Sequence, residues 1–369
     1  FDNFVLPNGY ERLRNIPMID SIMLRTPLML NTRSNKRTGM FEEREDNPIF
    51  TFSGDANEFF AYPAKIGSLL VFIYFHRDFM SSGVSLGNLF ELATPQECRR
   101  KPDAIVLFGN PDEKNECTFH YDEEEDLWVG SVSYHERIEY FGYMKKMSLT
   151  LHNLAMMKKG WLPIHGAFVT VTLKDGKHKN IMLMGDSGAG KSESIEALKA
   201  LGNDIIKRVE VIFDDMGTIH IENGIPYGQG TEVGAFVRLD DLDAGTPYRD
   251  MDRSIFMNPE SSNNARVITP AAPYEVISMN HKIDLFAKCT MYGAKTVPKN
   301  STCIQKPIQN PIFIHFFHNI IIPSNTFKIL HLQSPKTICR HSKSAGQNFF
   351  LHFISPSSLT DKAKPQNIF

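Results

Sequence analysis

Residues Gly185, Asp186, Ser187, Gly188, Ala189, Gly190, Lys191 and Ser192 spell the pattern G-x-x-x-x-G-K-[ST]. No other stretch constrains the fold as much, because the pattern works only where a buried strand turns directly into a helix. Both flanks comply. Residues 181–184 are the apolar run Ile-Met-Leu-Met, and residues 193–200 carry a helical pattern. Glycines let backbone N–H groups turn toward one anion, and the start of the helix adds partial positive charge. Lys191 has the reach for the outer phosphates of a nucleotide, and the Ser192 hydroxyl suits Mg²⁺.

A chain of 369 residues accommodates two average domains or one large α/β enzyme. With 42% hydrophobic and 22% charged residues, most of it is able to pack a core. A formal net charge of −2 gives no reason to expect nucleic acid or an anionic membrane surface as partner. The cysteines (Cys98, Cys117, Cys289, Cys303 and Cys339) form no C-x-x-C pair, so neither a zinc site nor a disulfide framework is signalled. A reducing, cytoplasmic compartment is expected. No signal peptide and no run long enough to span a bilayer is read. Because the chain begins at Phe1 and not at Met, further residues are expected ahead of it.

From Lys288 onward the composition shifts to nine Lys and one Arg against a single acid, Asp361. Two readings compete for 288–369: an ordinary basic C-terminal region, or an out-of-frame or disordered tail. The absence of sustained periodicity, without the low hydrophobicity of a linker, favours the second.

Earlier in the chain, residues 68–75 and 104–108 read as buried strands. The acidic cluster 123–126 reads as a solvated turn. A helix is expected over 147–159, capped by Gly160. Residues 167–172 and 180–184 should form a hairpin about the turn 174–177, followed by a strand at 210–213 and a second hairpin about 222–224.

Asp214 and Asp215 close the strand that follows the loop helix, where a carboxylate that supports the nucleotide's metal belongs. Acids also commonly cap strand ends, but the upstream loop favours the metal reading. His165 precedes the strand that leads to the loop; a lone His is more often a satisfied core residue than a ligand. The segment 140–146, Tyr-Phe-Gly-Tyr-Met-Lys-Lys, taken alone is a solvated basic turn.

Taken together, these residues resemble ATP-dependent phosphoenolpyruvate carboxykinase. The order is Y-x-G-x-M-K-K, a helix, a His, a strand, the loop G-x-S-G-x-G-K, then D-D. Asn264-Ala265-Arg266-Val267-Ile268-Thr269-Pro270 matches the family's N-T-R-V-x-x-P segment. The resemblance spans about residues 140–285, and Thr32-Arg33-Ser34-Asn35-Lys36 echoes the family's G-R-S-P-K loop. It implies an α/β fold with a carboxykinase-like P-loop nucleotide domain of mixed sheet (161–287), preceded by an N-terminal α/β substrate domain (1–160).

The resemblance also assigns roles. Lys146, His165 and Asp215 would bind Mn²⁺ or Mg²⁺, with Lys146 neutral because of a lowered pKa. Ser192 would hold the nucleotide's Mg²⁺, and Asp214 a metal-bound water. Lys191 and Arg266 would stabilise the transferred phosphoryl group. Arg33 and Tyr140 would face the substrate. The implied reaction is oxaloacetate plus ATP giving phosphoenolpyruvate, ADP and CO₂, in gluconeogenesis.

The loop continues G-K-S-E, where carboxykinases read G-K-T-T. With His-Gly before it and Asp-Asp after it, it is also similar to HPr kinase/phosphorylase, a bacterial protein-serine kinase that shares the nucleotide core. The Lys-Lys and N-x-R segments favour the carboxykinase side. A non-catalytic nucleotide-binding relative is the third reading, since the resemblance stops near Ala287. The segments 231–235 and 240–243 receive no assignment.

Overall fold

The computed structural model describes residues 3–24, 27–185, 191, 194, 198, 204–213, 215–239, 254–261, 263–270, 305–307, 312–315 and 328–331. Among them, the longest apolar run, Leu69–His76, is buried at all eight positions. A strand buried on both faces belongs in the middle of a covered sheet. It pairs antiparallel with Phe59–Ile66 across a turn at Gly67 (φ +59°) and parallel with Ala104–Asn110. Ala104–Asn110 runs parallel to Leu127–Ser133 in turn, within a seven-stranded sheet.

Alternation along the strand divides the two cores. Val71, Ile73 and Phe75 face one, with Met144, Met147 and Leu151 of a helix. Leu70, Phe72 and Tyr74 face the other, with Tyr10, Leu13 and Phe52. Side chains that point alternately up and down require this.

Two helices pack on the first of these faces: α1 (Met80–Leu89) and α2 (Gly142–Lys158). Gly160 follows α2 at φ +76°, in the left-handed region that ends many helices. The expected helix therefore exists but begins five residues earlier. Its first turns carry the Lys145-Lys146 pair, so the reading of that pair as a solvated turn is corrected. Lys145 is 3% exposed, because partners far away in the sequence compensate its charge.

The second sheet is organised by one long strand, Leu162–Leu173. On one side it pairs with His178–Met184. On the other, its first part pairs with Met216–Glu222 and its remainder with Ile206–Phe213. Both expected hairpins are present. The second turns through Asn223 (φ 51°) and Gly224 (φ 78°), the positive-φ pair that a two-residue hairpin favours. Within 288–369 three short strands are described, Gln305–Pro307, Ile312–His315 and Lys328–His331. Ile312–His315 lies parallel to the strand that feeds the phosphate loop.

A third, four-stranded sheet combines distant parts of the chain. Leu28–Leu30 runs parallel to Ile255–Met257, which leads to Arg266–Pro270 and Gly234–Arg238. This sheet is tied to α1: the Val233 N–H donates to the Leu89 carbonyl (2.8 Å), and Asn88 Nδ2 donates to the Ile268 carbonyl (3.1 Å). The architecture is mixed α/β, with several sheets and few helices among the described residues. None of those helices is long and apolar enough to cross a membrane. Burial pushes the Cys98 and Cys117 thiols up to about 11, so both stay protonated at neutral pH.

Gly234 marks the tightest junction. A Cβ there would collide with the Asn88 carbonyl and lie 2.6 Å from the Thr269 carbonyl. Both obstacles are backbone and cannot rotate away. Gly234→Ala is expected to destabilise the chain by roughly 1–3 kcal/mol, as overpacking does. A thermal melt unchanged from wild type would show that this junction yields freely.

Candidate functional site

The site forms where the long strand Leu162–Leu173 enters its sheet. His165 and Gly166 sit at the point where three segments meet. Gly166 lies opposite Met184 in the strand before the phosphate loop, and a Cβ on it would come within 2.5 Å of the Leu183 carbonyl. Only glycine permits that approach. Two backbone bonds follow from it. The Gly185 N–H donates to the His165 carbonyl (3.3 Å), and the Gly166 N–H donates to the Asp215 carbonyl (2.9 Å). The first residue of the phosphate loop, the histidine and the aspartate are thus held by one short piece of backbone.

The side chains converge in the same place. His165 Nε2 lies 3.0 Å from Asp215 Oδ1. Lys145, arriving from α2, puts Nζ 2.7 Å from Asp215 Oδ2 and 2.8 Å from Glu232 Oε1. Burial opposes the charge on Lys145, but Asp215 and Glu232 outweigh it and hold its pKa above the usual lysine value. Burial likewise opposes ionisation of Asp215, yet Lys145, the bond from His165 and nearby Lys146 keep its carboxyl well below the ordinary range. Lys146 is shifted the other way. Burial disfavours its charge and Lys145 repels it, against a partial offset from Asp215, so its pKa is lowered.

Of the residues expected to bind metal, His165 and Asp215 meet here, and Lys146 is near enough to feel the charge of Asp215. Among the described residues no group of three or more His, Cys, Asp or Glu is placed to hold a metal. The fit is reasonable: one carboxylate, one imidazole and a lysine biased toward its neutral form make a nitrogen–oxygen donor set for a divalent cation. Lys191 is buried, and its Nζ donates to the Gly185 carbonyl (2.8 Å), which folds it back over the start of its own loop. Asp186, Ser187, Gly188, Ala189, Gly190, Ser192 and Asp214 lie outside the described residues.

Arg266 stands on the strand beside Gly234–Arg238. Its guanidinium carbon is 5.3 Å from the centre of the Phe236 ring, and Lys145 Nζ is 5.7 Å from the same centre. The loop 32–36 is fastened just ahead of Arg266: Asn35 donates to the Asn263 carbonyl, and Asn264 donates to the Asn35 carbonyl. An open cleft of about 590 Å³ lies here, lined by Arg33, Lys36, Asn258 and Glu260 among others.

The two residues expected to face the substrate are placed differently. The Arg33 guanidinium pairs with Glu136 and approaches Glu139 (3.9 Å), acids that precede α2. Arg33 and Glu136 are both exposed, and Arg33 also lines the cleft. Tyr140 is 5% exposed and its ring packs 5.8 Å from that of Phe236, so it belongs to the core beneath the site. Gly142 allows this packing, since a Cβ there would strike the Tyr140 ring.

Lys145 and Glu232 were missed from sequence. For Lys145 a signal existed. Adjacent helical residues point about 100° apart, so one of two neighbouring lysines had to face inward once the helix was placed. Glu232 carries no local signal; its partner is 87 residues away.

No family model matches the chain, and no curated protein matches it. Among solved structures, the Hpr(Ser) kinase/phosphatase from Coxiella burnetii aligns over 49% of this chain and 90% of its own, with a TM-score of 0.21 and 12% identity. A likeness of that size leaves function to be argued from the chain's own geometry.

Lys145→Ala strands two carboxylates in a half-buried place, and removing one partner of a buried pair costs roughly 3–5 kcal/mol. The pH dependence has a definite sign. Asp215 is depressed, so its contribution is present above the unfolded carboxylate pKa and is lost as pH falls through the folded one. Lys145 is raised, so its contribution is present below the unfolded lysine pKa and lost as pH rises through the folded one. The stability gap between wild type and Lys145→Ala should therefore be a plateau across neutral pH that narrows at both extremes. Denaturant titrations at several pH values that show a constant gap would exclude the ion triad as its source.

Proposed function

We propose that the chain is a P-loop kinase: it binds ATP at residues 185–192 and transfers the terminal phosphoryl group with help from a divalent cation. One observation carries this reading. The Gly185 N–H bonds to the carbonyl of His165, whose ring bonds to Asp215, so the loop and the charge cluster share one scaffold. Phosphoryl transfer depends mainly on positioning and on stabilising charge, and such a scaffold supplies both.

The residues divide the work as follows. Lys191 neutralises the outer phosphates, and Arg266 offers its N–H donors to the group in transfer. Lys146, His165 and Asp215 would hold Mg²⁺ or Mn²⁺, which would supply positive charge against the charge that develops in transfer. Lys145 stays protonated and fixes the position of Asp215. Its proton remains with the ion triad, while burial and Lys145 shift the Lys146 pKa downward, the direction a nitrogen ligand needs.

Two acceptors are favoured by different observations. The loop wording G-x-S-G-x-G-K-S-E, with His-Gly before it, favours a protein serine, as in HPr kinase/phosphorylase. The Lys-Lys segment, together with the polar cleft between the 32–36 loop and Asn258, favours a small acid. In that case oxaloacetate loses CO₂, and the resulting enolate oxygen attacks the γ-phosphorus to give phosphoenolpyruvate and ADP.

One paired assay separates them. The chain is incubated with ATP and Mg²⁺ or Mn²⁺, once with oxaloacetate and once with a small serine-bearing carrier protein. Phosphoenolpyruvate or phosphoserine identifies the acceptor; ATP bound without either product leaves a non-catalytic relative. In whichever reaction proceeds, Lys191→Ala should lower kcat about 10³-fold or more. Full turnover in that variant would remove the loop from the reaction. Lys146→Ala and His165→Ala should each weaken Mn²⁺ binding, followed by the paramagnetic signal of the free ion. An unchanged titration would take both out of the metal set.

A further inference from the structure

Arg266 and Lys145 reach the site from different elements, and one ring lies between them. Phe236 is half-buried on Gly234–Arg238, with the Arg266 guanidinium carbon 5.3 Å and Lys145 Nζ 5.7 Å from its centre. Both distances are within the roughly 6 Å over which an aromatic face attracts a cation. The ring is in turn held from below. Phe141 meets it edge-on (5.3 Å, 89°), and Tyr140 lies tilted against it (5.8 Å).

The two cations are compensated differently. Lys145 is matched by Asp215 and Glu232. Arg266 has a buried Nε–H with no hydrogen-bond partner among the described residues. A buried donor left without a partner is costly, and such groups in folded proteins call for an explanation. A carboxylate beside Arg266 would satisfy that donor but would also occupy the guanidinium. An aromatic face attracts the cation and leaves its N–H groups unoccupied.

We propose that Phe236 is the positioning residue of this site: its ring holds Arg266 with donors available for an anionic phosphoryl group. The proposal deepens the kinase reading and rests on it for the identity of the anion. It does not need turnover to be tested.

The probe is tripolyphosphate, and the variants are Phe236→Tyr, which keeps the aromatic face, and Phe236→Leu and Phe236→Met, which keep bulk without it. Melting curves establish which variants fold. Binding is measured by calorimetry. Modification of Arg266 by phenylglyoxal, followed by mass spectrometry of the full chain, shows whether the anion covers that guanidinium. Wild type and Phe236→Tyr should bind alike, and tripolyphosphate should slow Arg266 modification several-fold in both. Any aliphatic variant that folds should bind about tenfold more weakly and lose the protection. Equal binding and protection in a folded aliphatic variant overturns the role of the ring. Absence of protection in wild type overturns it as well, by removing the anion from Arg266. If the ring dependence is found but neither acceptor yields product, the positioning role stands and the kinase reading fails alone. Where an acceptor does react, the aliphatic variants should lower kcat more than they raise the acceptor's KM, which a general loss of packing would not select.

Discussion

A lysine ammonium with almost no contact with water is the constraint around which the site is arranged. Lys145 is admitted to the interior only because two carboxylates meet it, Asp215 from the end of one strand and Glu232 from the approach to another. An unpaired charge there would cost several kcal/mol. Each partner therefore fixes the position of its own segment relative to α2. Asp215 carries His165 and the backbone of Gly166, and through them the beginning of the phosphate loop. Glu232 carries the Val233–Gly234 junction with α1 and the strand that bears Phe236. A single ion triad thus links both helices, the second sheet and the third.

The same triad sets the chemistry of its neighbour. Two adjacent lysines on one helix experience opposite environments. Lys145 sits between acids and keeps its proton. Lys146, desolvated and repelled by Lys145, is biased toward losing it. Environment, not residue type, separates the structural cation from the candidate ligand.

How legible this was in the sequence varies with the range of the interaction. Periodicity along Leu69–His76, the hairpins at 174–177 and 222–224 and the Gly160 stop are local, and each appears where expected. The start of α2 was not legible, because Gly142 argues against a helix and two lysines against burial until the Tyr140 ring over Gly142 and the acids around Lys145 are in place. The ion pair of Arg33 was not legible for a related reason: Glu136 and Glu139 are distant in sequence but adjacent in space. The packing of Tyr140 was hidden too, because its ring partner Phe236 lies on a strand nearly a hundred residues later.

By itself, the sequence showed a G-x-x-x-x-G-K-S pattern directly after an apolar strand, several strands where apolar periodicity puts them, and lysine, histidine and aspartate in a recurring order around that pattern. These are properties of neighbouring residues and of side-chain character. Only the tertiary structure decided which lysine is buried between acids and which has its pKa lowered, that Glu232 completes the charge balance, that Arg33 pairs with Glu136 and Tyr140 packs on Phe236, and that Phe236 lies near two cations. Those outcomes depend on distances between segments separated by tens to hundreds of residues, and on desolvation, which exists only after the segments have packed.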